Sequence, residues 1–116
     1  MKTYDIKSDM PDVLEASKRL VQIIKEAKKT EKVIKIIHGY GSSGVGGKIK
    51  SAVHKSLRNR LNSKEIKAYI PGEAFSLMMG FDEVIHKYSN LLKNDSDFKK
   101  GNDGITYIIF WLFICF

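Results

Sequence analysis

Apolar and polar residues recur along the chain with two different periods, which predict alternating helices and strands. Residues 11–29 place Val13, Ile24 and other apolar residues at helical spacing, with the lysines largely off that stripe. This segment is predicted to be an amphipathic helix, and Pro11 suits its first position. Residues 32–38 are β-branched and mostly apolar, which predicts a buried strand.

The other segments continue this alternation. The remaining predicted elements are a weak first strand at residues 3–6, a second helix at 49–61, a strand at 66–70, a helix at 73–93 and a last strand at 105–110. The order β-α-β-α-β-(α)-β predicts an α/β layered domain in which helices connect parallel strand pairs.

The length of 116 residues predicts a single domain. The longest apolar run, Tyr107–Phe116, has ten residues, whereas a membrane-spanning helix needs about 20. The first 20 residues contain no apolar segment typical of a secretory signal. A single cysteine, Cys115, cannot form an internal disulfide. These observations predict a cytoplasmic protein without a membrane partner.

Basic residues outnumber acidic ones and are concentrated in the first part of the sequence. The chain has 20 lysines and arginines against 13 aspartates and glutamates, a net charge of +7. Residues 1–67 hold 16 basic and 7 acidic side chains, whereas residues 68–116 hold 4 and 6. This asymmetry favours a polyanionic partner, DNA or RNA, over an evenly solvated lysine-rich surface.

Five glycines lie between the predicted buried strand and the second helix. They are Gly39, Gly41, Gly44, Gly46 and Gly47. Lys48 and Lys50 come directly after them. A strand that leads through glycines into a helix directs free backbone N–H groups and the positive end of the helix dipole at one point. The pattern therefore predicts a phosphate site, and the alternative is a flexible connection that binds nothing.

The glycine pattern disfavours two common kinds of phosphate site. A P-loop needs Gly, four residues, Gly-Lys and then Ser or Thr, but Ser42 and Ile49 occupy the first glycine and the hydroxyl position. Residues 39–44 match the dinucleotide pattern G-x-G-x-x-G. The next strand, however, ends in Ile70-Pro71 without the acidic residue that a dinucleotide fold places there. Neither an ATPase nor a dinucleotide enzyme is expected.

His38 closes the predicted buried strand, at the sheet edge where α/β proteins form their sites. It is a candidate catalytic histidine, and the alternative is a capping or core role. His54 and His86 lie within predicted helices, without clustered ligands. With one cysteine and three dispersed histidines, the sequence has no zinc pattern, and no metal site is predicted.

Three segments of the sequence resemble the Smr (small MutS-related) domain. They are Val33-Ile-Lys-Ile-Ile-His-Gly-Tyr-Gly41, Gly47-Lys-Ile-Lys50 and Gly104-Ile-Thr-Tyr-Ile-Ile-Phe110. In that family a strand ends in His-Gly-x-Gly, a helix follows, and a Gly-hydrophobic-Thr strand closes the domain. The resemblance implies DNA or RNA binding, with endonuclease or nicking activity in some members.

The resemblance also implies a fold and a division of the chain. It covers residues 3–110 and implies a two-layer α/β sandwich with a mixed sheet of about four strands, related to the C-terminal domain of bacterial translation initiation factor 3. We expect one Smr-like domain at 1–110, in which residues 71–100 form a helical insertion. Residues 111–116 form an apolar tail that either extends the last strand or provides a surface for self-association.

The family's hydrolytic site is altered in this sequence. The family's first strand carries Asp-hydrophobic-His-Gly, and the matching stretch here is Asp5-Ile-Lys7-Ser8. If cleavage persists, His38 is the candidate general acid or base, and Asp5 orients it or holds Mg²⁺. Lys7 can contact phosphate, but with a pKa near 10 it is a poor base at pH 7.

We therefore predict a nucleic-acid-binding domain with no required cofactor and with weakened or lost cleavage. The first alternative is an active small endonuclease. The second is a protein-interaction module that uses the tail at residues 111–116.

Overall fold

Strands and helices alternate along the chain in the order predicted from the sequence. The structure is a computed structural model and describes residues 1–39, 44–76 and 78–111. Its strands are β1 (Lys2–Asp5), β2 (Val33–Ile37), β3 (Ala68–Pro71) and β4 (Ile105–Ile109). Its helices are α1 (Val13–Ala27), α2 (Gly44–Asn62) and α3 (Asp82–Leu92), and a 3-10 turn, Gly72–Phe75, lies between β3 and α3.

The four strands form one mixed sheet in the order β1-β2-β4-β3. β1 runs parallel to β2, whereas β4 runs antiparallel to both β2 and β3. The predicted α/β class, the mixed four-strand sheet and the element order are confirmed. Within the described strands, parallel pairing is confined to β1 and β2, because the last strand of the chain lies between β2 and β3.

Side chains alternate between the two faces of the sheet, and each face has its own apolar core. The core between the sheet and helices α1 and α2 includes Leu20, Ile24, Ile34, Ile36, Leu57 and Ile108. The core on the side of α3 includes Ile70, Tyr88, Leu92, Tyr107 and Ile109. The sheet with α1 and α2 forms the two predicted layers, and α3 adds a partial third layer over the other face.

Helix α1 begins two residues later than the sequence pattern predicts. Asp12 is its N-cap, and the Asp12 Oδ1 accepts a hydrogen bond of 2.8 Å from the backbone N–H of Glu15. A capping aspartate satisfies one of the free N–H groups at the start of a helix. Pro11 therefore precedes the helix instead of occupying its first position.

The segment predicted as one helix over residues 73–93 consists of the 3-10 turn followed by α3. Gly80 has a φ of +80°, a left-handed conformation that a continuous helix excludes. A Cβ on Gly72 would overlap the backbone carbonyl of Asn102, so the turn lies directly against the segment that leads into β4. The prediction of one continuous helix is therefore wrong.

A buried ionic cluster lies on the α3 side of the sheet. The Lys35 Nζ in the middle of β2 lies 3.0 Å from an oxygen of Asp95 and 2.8 Å from one of Asp97. The Tyr107 hydroxyl donates a 2.7 Å hydrogen bond to Asp95. Burial alone would lower the pKa of Lys35, but its hydrogen bonds to Asp97 and Asp95 outweigh burial and raise that pKa. The lysine is therefore charged and paired within the fold.

The apolar tail begins with Trp111, which follows β4 and is 42% exposed. Residues 112–116 lie outside the described residues, so the predicted strand extension and self-association stay predictions. In the described ranges, no helix is long and apolar enough to cross a membrane.

Candidate nucleic-acid interface

The carboxyl ends of β1 and β2 meet the start of β4 at one edge of the sheet. Asp5 is in register with Ile37 across the parallel strand pair. The backbone N–H groups of His38 and Gly39 both donate to the carbonyl of Gly104, at 2.9 and 3.1 Å. These two hydrogen bonds fix the direction in which the chain leaves β2 and hold the predicted site residues His38 and Gly39 against the start of β4.

Gly39 adopts a backbone conformation that favours glycine, with a φ of +87°. A Cβ at this position would lie 3.3 Å from the Lys7 Cδ, so the Lys7 side chain passes close over the turn. The sequence predicts that at least one of Gly39, Gly41 and Gly44 has a positive φ or a close backbone contact, and Gly39 confirms it. Gly41 lies outside the described residues, and Gly44 is the first residue of α2.

The first turn of α2 consists of Gly44, Val45, Gly46 and Gly47, and it contains no acidic residue. The first four backbone N–H groups of a helix have no partner within it, and they carry the positive end of the dipole. Lys48 follows directly, is exposed, and makes no ion pair with any carboxylate among the described residues.

Lys50 has different surroundings from Lys48. Its ammonium forms an ion pair with the carboxylate of Glu73, which lies in the 3-10 turn after β3. The two side chains are 18% and 13% exposed, so this pair is largely shielded from solvent. Among the described residues, Lys50 therefore has an acidic partner and Lys48 has none.

His38 is fully buried and takes part in a chain of hydrogen bonds beneath α2. Its Nδ1 lies 3.0 Å from the Gly39 carbonyl, and its Nε2 lies 2.8 Å from the Thr106 Oγ1. A carbonyl only accepts, so Nδ1 carries the proton and the neutral ring accepts the Thr106 hydroxyl proton at Nε2. The His54 Nε2, 3.2 Å from the same hydroxyl oxygen, then donates to it.

Burial is the main reason that the pKa of His38 falls to about 4. The hydrogen bond to the Gly39 carbonyl opposes this shift, whereas the nearby His54 and Lys50 add to it. Burial also lowers the pKa of His54. Both histidines are therefore neutral at pH 7, as the hydrogen-bond chain through Thr106 requires.

Asp5 is engaged with the turn that follows β1. Its Oδ1 accepts hydrogen bonds from the backbone N–H groups of Lys7 and Ser8, at 2.8 and 3.0 Å. Its Oδ2 lies 3.7 Å from the Lys7 Nζ. The two candidate catalytic residues lie at the same end of the sheet, and among the described residues no hydrogen bond or ion pair joins their side chains.

A cavity of about 250 Å³ opens beside the Gly39 turn on the side of the ionic cluster. Its walls include Lys7, Gly39, Asp97 and Asn102. Asn102 Nδ2 donates a 3.0 Å hydrogen bond to Asp97, whose other oxygen binds Lys35. These contacts, the one from Lys35 foremost, lower the pKa of Asp97. The cavity therefore has one lysine and one paired carboxylate on its walls.

Two residues of this edge were not predicted from the sequence. Thr106 lies in the Gly-hydrophobic-Thr segment, but the sequence assigned it no role. The sequence places His54 in a helix without clustered metal ligands and assigns it no role, and its contact with His38, with ring centroids 5.6 Å apart, was not predicted. The helical spacing could have indicated that His54 faces the core, because it lies three residues before the buried Leu57, on the same side of α2. Among the described residues, no group of three or more His, Cys, Asp and Glu side chains could hold a metal ion.

A comparison with known protein families gives one match that bears on this site. The family model of the Smr domain matches residues 10–81. This range is more than half of the chain and contains α1, β2, the five glycines, α2 and β3. The chain belongs to the Smr domain family. No curated protein and no solved structure gives a significant match.

Smr domains are associated with nucleic-acid binding or nuclease activity. The matched range includes the Gly39 turn and the start of α2, which carry the predicted phosphate contacts. Asp5 and Lys7 precede the range, and Thr106 follows it. Membership in the Smr family therefore suggests a nucleic-acid partner, whereas the roles of individual residues have to be argued from their surroundings.

Proposed function

We propose that this Smr domain binds DNA or RNA by holding backbone phosphates at the start of α2. The proposed contacts are Gly39, Gly41, Gly44, Gly46, Gly47, Lys48, Lys50 and Lys7. The observation that carries the proposal is the acid-free, glycine-rich first turn of α2, followed by the exposed Lys48. Glycines let a phosphate reach the backbone N–H groups, and the helix dipole and Lys48 add positive charge.

The three lysines contribute unequally to this proposed site. Lys48 has no carboxylate partner among the described residues, so its full charge is available to a phosphate. Lys7 lies over Gly39 with its ammonium 3.7 Å from Asp5, and this exposed pair is weak enough to rearrange. Lys50 is paired with Glu73, so a phosphate has to compete for it. Lys48 is therefore the lysine on which affinity depends most.

The proposal is binding without efficient cleavage, and the surroundings of His38 support this. Cleavage of a phosphodiester needs a base for the nucleophile and an acid for the leaving group. His38 is 0% exposed, and both ring nitrogens have protein partners. His38 therefore offers no ring nitrogen that is free to exchange a proton with a bound substrate. Lys7 stands where the family resemblance places a histidine.

The Asp5 carboxylate also fits a divalent cation poorly. One of its oxygens accepts two backbone N–H groups, and the other lies near the Lys7 ammonium. A cation at this position would have to displace a positive charge that is already present. We therefore assign no step to Mg²⁺.

Replacing Lys48 with alanine is expected to weaken binding of a labelled oligonucleotide and to reduce its salt dependence. Each phosphate neutralised contributes about 0.9 to the slope of log K against log salt on duplex DNA, so the slope should fall by about one. Fluorescence anisotropy at several salt concentrations measures both quantities, with DNA and RNA tested in parallel. The matched control is Lys18→Ala, which removes an exposed lysine from α1.

A Lys48→Ala variant with the slope of the wild type would place the phosphates elsewhere on the surface. The same loss of slope in the Lys18→Ala control would point to general electrostatic attraction instead of a site. A wild-type protein that binds neither DNA nor RNA at low salt would contradict the proposed function as a whole.

The wild-type protein is expected to nick supercoiled plasmid DNA in Mg²⁺ no faster than a His38→Gln variant. Lys7→His restores the histidine of the family pattern and is expected to raise the rate. The nicked fraction is followed over time on agarose gels, with the thermal stability of each variant measured alongside. Rapid nicking by the wild type, lost in a folded His38→Gln protein, would favour the alternative of an active endonuclease.

A further inference from the structure

A second basic surface lies at the end of the sheet opposite to the Gly39 turn. Lys32 directly precedes β2, Lys67 precedes β3, and β4 leads to Trp111. These residues come together because Val33 and Ala68 are both in register with Ile109 on β4. They line a cleft of about 160 Å³ together with Tyr88 of α3.

Aromatic rings and ammonium groups face each other in this cleft. The Lys67 Nζ lies 5.2 Å from the centroid of the Trp111 ring and 5.5 Å from that of the Tyr88 ring. The Lys87 Nζ lies 5.5 Å from the Tyr88 centroid as well. Trp111 is 42% exposed, so part of its ring system is accessible to solvent. The cleft thus combines a partly exposed tryptophan with a lysine that lies against both of its aromatic rings.

The charge of this cleft is not neutralised by the protein around it. Within the described residues, Lys32, Lys67 and Lys87 form no ion pair with a carboxylate. The acidic residues nearest to Lys32 and Lys67 in the sequence are Glu31 and Glu65, and both pair with other basic residues. Lys67 lies against both aromatic rings, Lys87 lies against Tyr88, and Lys32 lines the cleft, so the site complements a ligand that is planar and carries negative charge.

We infer that this cleft binds an unpaired base of single-stranded DNA or RNA, with the base stacked on Trp111 and the adjacent phosphates on the lysines. Stacking on an aromatic side chain requires an exposed base face, which a base inside a duplex does not offer. The inference rests on the proposed function and adds that the preferred partner is single-stranded.

One strand can contact both ends of the sheet. Lys32 and Gly39 are separated by seven residues, or about 23 Å of extended chain. At about 3.4 Å per stacked nucleotide, roughly seven nucleotides cover that distance. An oligonucleotide of about 15 nucleotides, roughly twice that number, is therefore long enough to engage the start of α2 and the cleft together.

Trp111 is the single tryptophan of the chain and reports directly on this cleft. We expect its fluorescence to be quenched saturably by oligo(dT) or oligo(U) of that length, and not by a duplex of equal length. Trp111→Leu, measured by anisotropy, should weaken binding of the single strand about 5- to 10-fold and leave duplex binding unchanged. The control Leu14→Ala, which removes an exposed leucine of α1, should change neither.

The outcomes separate this inference from the proposed function. If Lys48→Ala weakens binding but Trp111→Leu does not, and no quenching is seen, the cleft inference is wrong and the phosphate site stands. If Trp111 emission changes with protein concentration but not with oligonucleotide, a second copy of the chain covers the cleft and the inference is overturned. If the wild type binds no nucleic acid, both fail. Comparing oligo(dT) with oligo(U) distinguishes DNA from RNA.

Discussion

Replacing Lys35 with alanine is expected to lower the free energy of unfolding by about 3–5 kcal/mol. The side chain of Lys35 is only 7% exposed, and those of Asp95 and Asp97 are 14% and 24% exposed. Loss of the ammonium leaves two carboxylates close together in a poorly solvated place, which is the costly way to break a buried ion pair. Urea denaturation measures the change, and Lys18→Ala serves as the exposed-lysine control.

A compensated variant shows whether uncompensated charge is the cause. Lys35→Met combined with Asp95→Asn and Asp97→Asn removes all three charges and keeps much of the side-chain volume. We expect it to recover a substantial part of the stability lost in Lys35→Ala. If Lys35→Ala costs no more than Lys18→Ala, the cluster does not contribute to stability in the way its geometry indicates.

Acidification from pH 7.5 to pH 5 is expected to lower the free energy of unfolding by about 2 kcal/mol through His38 alone. The pKa of His38 is about 4 in the folded protein, mainly because of burial, against 6.5 as its ordinary value. Between these two values the unfolded chain binds a proton that the folded chain does not, so stability rises with pH. The contribution is complete above pH 6.5 and is lost as the pH falls toward 4.

Urea denaturation at the two pH values, at constant ionic strength, measures this dependence. In His38→Gln the change should shrink by about the stated amount, and the part due to His54, whose pKa burial also lowers, should remain. His86→Gln, which removes an exposed histidine from α3, is the control for the same substitution at a different histidine. Equal pH dependence in wild type and His38→Gln would mean that His38 is not held neutral in the fold.

Element types could be predicted from the sequence where local pattern decides them. The helical stripe of α1 and the β-branched run of β2 correspond to the observed elements because both segments bury their apolar positions. The ends of elements were less accurate. Asp12 caps α1, so the helix begins after Pro11 and not at it. Gly80 interrupts the helix expected over 73–93. Caps and left-handed glycines decide such boundaries, and periodicity does not detect them.

Contacts between distant segments could not be predicted in the same way. Lys35 meets Asp95 only because the segment before β4 folds back over the sheet, 60 residues along the chain. His38 and Thr106 are separated by 68 residues, and their hydrogen bond depends on β4 lying next to β2. A histidine at a strand end is equally compatible with an exposed catalytic position and with the buried one observed.

At the predicted phosphate site, the sequence predicts the backbone conformation better than it predicts which side chains are available to a phosphate. A glycine directly after a predicted buried strand favours a positive φ, and Gly39 has one. Which lysine remains without a partner depends on Glu73, a residue from a different element, and only the structure distinguishes Lys48 from Lys50 in this respect.

Backbone amide NMR of the isotope-labelled protein, titrated with a short duplex, tests the phosphate site most directly. A duplex offers phosphates without unpaired bases, so it isolates the start of α2 from the cleft at Trp111. The expected result is that the largest shifts fall on the N–H groups of residues 44–47, which have no partner within α2, with Lys18 on α1 unchanged. Saturable binding with these amides unmoved and the largest shifts elsewhere would contradict the proposed site.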